Sequence, residues 1–113
     1  MLDSVSINAL SSALAGLSAR QSATANNIAN INTPNYRAQT VSFESALAAS
    51  VQAGSGIVTP TSGLSLEPTQ LNGNNVNLDT EVITNANTVL QYQFASQAIG
   101  KELTAIVPAL SVN

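Results

Sequence analysis

Few side chains in this sequence are able to do acid–base chemistry. There is no histidine and no cysteine, so the commonest general base, the thiol nucleophile and the usual nitrogen and sulfur metal ligands are missing. What remains is a close pair of carboxylates, Asp79 and Glu81, and a tyrosine beside an arginine, Tyr36 and Arg37. The two carboxylates sit where a helix is expected to begin, and negative charge there is accounted for by the helix dipole. Tyr36 and Arg37 read as an anchoring pair rather than a catalytic one. The sequence therefore implies no enzyme, no catalytic residues, no cofactor and no metal site.

Charge excludes further classes. Only 8% of the 113 residues are charged, where about 25% is ordinary, and hydrophobic content is an ordinary 44%. Arg20, Arg37 and Lys101 are the only cations and the formal net charge is −3. Nucleic-acid binding needs clustered basic residues, and a polybasic membrane anchor needs the same. No apolar run is long enough to span a bilayer, so membrane insertion is not expected. Without cysteine there is no disulfide framework. Ala13-Leu14-Ala15 would serve as a signal cleavage triplet, yet the start is acidic at Asp3 and polar residues at Asn8, Ser11 and Ser12 interrupt the apolar region. A cleaved signal peptide is not expected. The low charge reads as surface meant to be covered by neighbouring protein, since a free helix normally carries a charged outer face.

The elements that hold these residues follow from periodicity. Ile7, Leu10, Leu14, Leu17, Ile28 and Ile31 fall on one alternating three–four frame, interrupted at Gln21 and Thr24. This predicts one helix over residues 3–31, roughly 40 Å long, with Asp3 or Ser4 as its cap. A second stripe, Ala9, Ala13, Gly16 and Ala23 with Arg20 between, either admits another backbone closely or reflects helix propensity alone. Asn26, Asn27, Asn30 and Asn32 then gather at the helix end, where asparagine caps. Thr33 precedes Pro34 and is pushed out of the helical region, and Pro34-Asn35 fits a turn.

Residues 36–42 look extended. Phe43, Leu47 and Val51 recur every fourth residue and predict a short helix capped by Ser42, with Glu44 in its first turn. Residues 52–76 are rich in Gly, Ser, Thr, Pro and Asn and read as a flexible loop or small hairpin, with a brief strand possible at Leu64 and Leu66. A second long helix covers 77–107, capped by Asn77 or Asp79 and ended by Pro108. Its seam is Val82, Val89, Tyr92, Ile99, Leu103 and Ile106. Ile83, Ala86, Leu90 and Phe94 form an adjacent stripe.

The stretch Ala25-Asn26-Asn27-Ile28-Ala29-Asn30-Ile31-Asn32-Thr33-Pro34-Asn35-Tyr36-Arg37 resembles the N-terminal signature of bacterial flagellar basal-body rod and hook proteins. Its carriers are Asn26, Asn27, Ile28, Ala29, Asn30, Thr33, Pro34, Tyr36 and Arg37. Gly73-Asn74-Asn75-Val76-Asn77-Leu78-Asp79, followed by Leu90-Gln91-Tyr92-Gln93, is similar to the C-terminal half of the proximal-rod, or FlgB, type within that family. The resemblance implies a structural subunit that assembles helically around an export channel and transmits torque. It implies self-assembly with further copies and contact with FlgC, FlgF and FlgG types of rod protein and a FliE-type adaptor. It also implies delivery through the flagellar type III export apparatus to a basal body outside the cytoplasm, in the periplasm or cell-wall zone.

The expected fold class is mainly α. An antiparallel pair of long N- and C-terminal helices forms a discontinuous coiled-coil-like domain from 1–32 and 77–107. Residues 33–51 supply a turn, an extended segment and a short helix, residues 52–76 the loop, and 77–113 the second helix and tail. A two-helix core supplies little stability alone, so the leftover stripes are expected to be buried between subunits, and contacts that do not close generate filaments. The rival readings are a small secreted helical-hairpin effector and an FlgC-type axial subunit.

Overall fold

The computed structural model describes residues 4–110, with side chains described through Thr104. The N-terminal pattern forms helix α1, Ser4–Ala29. Asp3, one of the two expected caps, lies outside the described residues. Past Ala29 the helix tightens into turns: the Asn30 amide is shared between the Asn26 and Asn27 carbonyls at 3.1 Å each, and the Thr33 amide donates to Asn30 O at 3.0 Å. The Tyr36 amide closes back on Thr33 O across Pro34 and Asn35. Asn35 has φ 61°, the left-handed value that the third residue of a type II turn takes, with Pro34 in the second position.

The chain then runs out as strand β1, Gln39–Ser42, followed by helix α2, Glu44–Gln52. Ser42 was expected to cap α2. It belongs instead to β1, its carbonyl accepts from Thr61 Oγ1, and Phe43 occupies the cap position without a side-chain bond. Phe43 is buried and Leu47 packs beside it, while Val51 stays exposed.

Residues 52–76 are not free chain. Asn8 Nδ2 donates to Ser55 O, Ser12 Oγ donates to Gly56 O at 2.8 Å, and the Val58 amide donates to Ser12 Oγ at 3.1 Å, so the segment is tied along α1. Strand β2, Thr61–Leu64, pairs antiparallel with β1, Gln39 opposite Leu64 and Ser42 opposite Thr61. The strand takes in Leu64 but stops short of Leu66, which is almost fully exposed. Side-chain and ladder bonds to elements distant in sequence supply what the segment's composition lacks.

Helix α3 is Leu78–Leu110. Asn77 caps it as expected, its Oδ1 accepting from the Asp79 and Thr80 amides at 3.0 and 3.4 Å. Pro108 does not end it. A proline this near the terminus removes one backbone donor from the last turns, and the helix continues two residues further. α3 runs antiparallel to α1: Glu81 meets Asn27 at one end, and Ala95 packs on the core further along. The pair gives a body 67 × 25 × 15 Å, one helix layer on a thin ribbon.

The core is small: Leu17, Ala23, Val41 and Phe43, flanked by Ala13, Leu47, Val58 and Ala95. Gly16 lets the Phe43 ring lie directly on α1, because a Cβ there would fall inside the ring's van der Waals envelope. The Gly16 stripe is therefore a close-approach surface.

The face that α3 turns toward α1 differs from its expected seam. Glu81 and Thr88 are buried and Ala95 touches the core, whereas Val82, Tyr92 and Leu103 are exposed at 55%, 39% and 51%. Val89 and Ile99 are half-buried, and the Ile106 side chain lies outside those described. α3 is rotated by about one residue because Glu81 is bonded to α1, and small Thr and Ala side chains then allow close packing. On α1, Leu17 is buried, Ile7, Leu10, Leu14 and Ile31 are half-buried, and Ile28 is at the rim.

Candidate functional site

Three buried asparagines join the end of α1 to the segment that leads into α3. Asn27 stands on the last turn of α1 and is 1% exposed. Its Nδ2 donates to Gln39 O and to Glu81 Oε1, both at 2.9 Å. Its Oδ1 accepts from the Gln39 amide at 2.8 Å and the Tyr36 hydroxyl at 3.2 Å. All four bonds available to a carboxamide are made. Toward Gln39 the side chain behaves as a neighbouring strand would, covering the outer edge of β1.

Asn74 works from the other side. Its Nδ2 donates to Asn30 O and Thr33 O at 2.9 Å each, a second donor for carbonyls that accept from the Thr33 and Tyr36 amides in the turns after α1. Its Oδ1 accepts from the Val76 amide at 2.8 Å. Asn75 Oδ1 accepts from the Ala38 amide at 2.6 Å, and its Nδ2 donates to Ser65 O and Glu67 O at 3.1 Å. The Asn35 amide donates to Asn72 O at 2.9 Å. Gly73, at φ +83°, is required here: a Cβ would come within 2.5 Å of Asn35 Oδ1. Residues 26–37 and 72–81 thus form one clasp, and no buried side-chain polar atom among the described residues lacks a partner.

Electrostatics at the clasp centre on Glu81. Burial pushes its carboxyl above the ordinary value, hydrogen bonds from Asn27 and Thr24 partly offset this, and the Glu67 charge adds to the rise. Arg20, which shares a cleft with Glu81, is committed elsewhere. Arg20 donates to Val41 O at 2.7 Å, pairs with Glu44, and holds its guanidinium 4.9 Å above the Phe43 ring. Arg37 donates to Ser65 O at 2.7 Å and anchors the extended segment. A cleft of about 370 Å³ opens between β1 and α3, lined in part by Arg20, Thr24, Glu67, Glu81 and Gln91. Asp79 is exposed and Glu81 buried, so the two carboxylates are not presented together. No group of three or more His, Cys, Asp or Glu among the described residues could hold a metal ion. No described helix is long and apolar enough to cross a membrane.

The sequence placed Asn27 and its neighbours as local caps. It did not place Asn74 and Asn75 on the first helix end, nor Glu81 on Asn27. The available signal was that Asn27 continues the small, buried stripe through Gly16 and Ala23, where an exposed cap does not belong.

The family model described as "Flagella basal body rod protein" matches residues 7–37, which is α1 with its half of the clasp. The flagellar basal body rod protein FlgB of Bacillus subtilis (strain 168) is 30% identical over 124 aligned positions, covering 97% of this chain and 96% of the relative. The chain belongs to the flagellar basal body rod protein family. It is of the FlgB type, and it is a structural subunit of the rod of the flagellar basal body, where it assembles with other rod components. The secreted-effector and FlgC-type readings are not favoured. The match to the family model stops at Arg37, whereas the FlgB likeness carries on through the second half of the clasp.

Proposed function

We propose that the chain builds the proximal part of the rod, stacking helically around the export channel and transmitting torque without catalysing a reaction. One observation carries this reading: α3 leaves Val82, Ile83, Leu90 and Phe94 more than half exposed on a helix that bears no charge from Val82 to Gly100. Among the described residues of a subunit 15 Å thin in one direction, nothing covers that ridge. Neighbouring rod subunits cover it. The helix-packing set Ile7, Leu10, Leu14, Leu17, Ile28, Ile31, Val82, Val89, Tyr92, Ile99, Leu103 and Ile106 divides accordingly: Leu17 holds the subunit together, and Val82, Tyr92 and Leu103 face its neighbours. Residues 1–32 and 77–107 act as one inner domain, and the rod signature from Asn26 to Arg37 fixes where the middle segment departs.

In this reading the partners are further copies, FlgC-, FlgF- and FlgG-type subunits and a FliE-type adaptor. The subunit travels through the flagellar export apparatus without a cleaved signal and works in the periplasm or cell-wall zone. The test is Phe94→Asp in cells. The variant is expected to be made and secreted at wild-type levels and to abolish rod assembly and motility. Motile cells carrying it would overturn the assignment of this face.

A further inference from the structure

Of all the asparagines in the chain, Asn72 alone is followed by glycine. Glycine carries no Cβ, so its backbone nitrogen meets the least hindrance when it turns back on the preceding side chain. Asn72 is exposed, yet three of its surroundings are fixed. The Gly73 amide donates to Gln70 O at 2.9 Å, Asn72 Oδ1 accepts from the Asn74 amide at 3.0 Å, and Asn72 O accepts from the Asn35 amide at 2.9 Å.

We propose that Asn72-Gly73 is a self-modification site held silent by the clasp, and that once the segment is released it converts to isoaspartate and can no longer close. In the reaction the Gly73 nitrogen attacks Asn72 Cγ. The N–Cγ bond forms, the Cγ–Nδ2 bond breaks, and ammonia leaves with the proton from Gly73. Water then opens the five-membered succinimide at one of its two carbonyls. Opening at Cγ gives aspartate. Opening at the former peptide carbonyl gives isoaspartate, with the main chain running through Cγ. No oxidant or reductant is needed.

The folded geometry opposes the first step. Attack requires the Gly73 nitrogen to leave Gln70 O and the Asn72 carboxamide to leave the Asn74 amide. Asn74 is fully buried and is pinned by Asn30 O and Thr33 O, so the turn yields only when the clasp opens. The rate then follows the population of the open segment. The two products differ in consequence. Aspartate keeps an oxygen where Asn72 Oδ1 accepts from Asn74. Isoaspartate adds a carbon to the main chain where Gly73 already stands too close to Asn35 for a Cβ. A subunit kept open is thereby removed from the pool able to fold.

The test follows the purified full chain at mildly alkaline pH with and without guanidinium chloride. The Asn72 peptide is resolved by mass spectrometry, and isoaspartate is scored with an isoaspartyl methyltransferase. Conversion is expected at least about tenfold slower without denaturant, and Asn75→Ala is expected to raise the rate under native conditions. Asn72→Asp is expected to give the wild-type circular dichroism spectrum, and the isolated isoaspartyl chain a less helical one. Equal rates with and without denaturant would overturn the proposal. So would another asparagine reacting first, or an isoaspartyl chain that refolds fully.

Discussion

Asn27 Nδ2 donates to Glu81 Oε1 at 2.9 Å across 54 residues of sequence, and both side chains are buried. This bond joins the last turns of α1 to the first turn of α3 and sets which face of α3 looks inward. The same carboxamide also closes the edge of β1, so helix pairing and strand position are decided by one side chain.

Removing that side chain strands several groups at once. Asn27→Ala leaves the Gln39 amide and carbonyl and the Glu81 carboxylate without their partner, and each buried unsatisfied group costs about 1–3 kcal/mol. A large drop in the urea midpoint is expected. Asn27→Asp is expected to be worse at neutral pH, because it loses both donors and sets a second negative charge beside Glu81.

Glu81 makes stability depend on pH in a defined direction. Its carboxyl titrates above its ordinary value in the fold, chiefly through burial. The protonated form is therefore the one the fold favours. Its contribution is complete below the unfolded value of about 4.3 and is lost as pH rises through the folded value. Glu81→Gln keeps an oxygen for Asn27 and removes the charge. The variant is expected to melt above the wild type at neutral pH, with the difference shrinking toward pH 4. Paired thermal melts across that window check it.

Gly16→Ala tests the close approach. Alanine should favour the helix by about 1 kcal/mol, but it forces the Phe43 ring outward, and overpacking costs about 1–3 kcal/mol. Net destabilisation is expected by thermal melting. Shrinking the ring in a Gly16→Ala/Phe43→Leu double variant should show positive coupling relative to the two single changes.

Gly73→Ala tests the other glycine. It places a Cβ at positive φ and against Asn35, so a loss of about 1 kcal/mol or more is expected in the urea midpoint. Gly100→Ala is the control: it meets no atom within 4 Å and should hold or raise the midpoint.

The parts legible in the sequence were those set by neighbours along the chain. α1 declared itself by its apolar frame, its end by Thr33-Pro34, and α3 by Asn77 and the carboxylates after it. The extended run before Phe43 was legible, but its pairing was hidden because Thr61–Leu64 has no alternating pattern of its own; its register is dictated by β1 about twenty residues away. The rotation of α3 was hidden because its apolar surface is broad, and the face turned inward is the one carrying Glu81, Thr88 and Ala95, with Glu81 bonded to Asn27. The clasp was hidden for a related reason. An asparagine beside a helix end satisfies a local rule, and nothing within a few residues of Asn74 reveals that the carbonyls it serves are those of Asn30 and Thr33.

Where the end of α1 meets the start of α3, this molecule is fastened by carboxamides rather than by hydrocarbon. Greasy seams let a pair of rods slip past each other by a turn; directional donors and acceptors permit a single alignment. The long helices are thus indexed from one tip, like a ruler from its zero mark, and shear along such a shaft is met by a keyed joint at that tip.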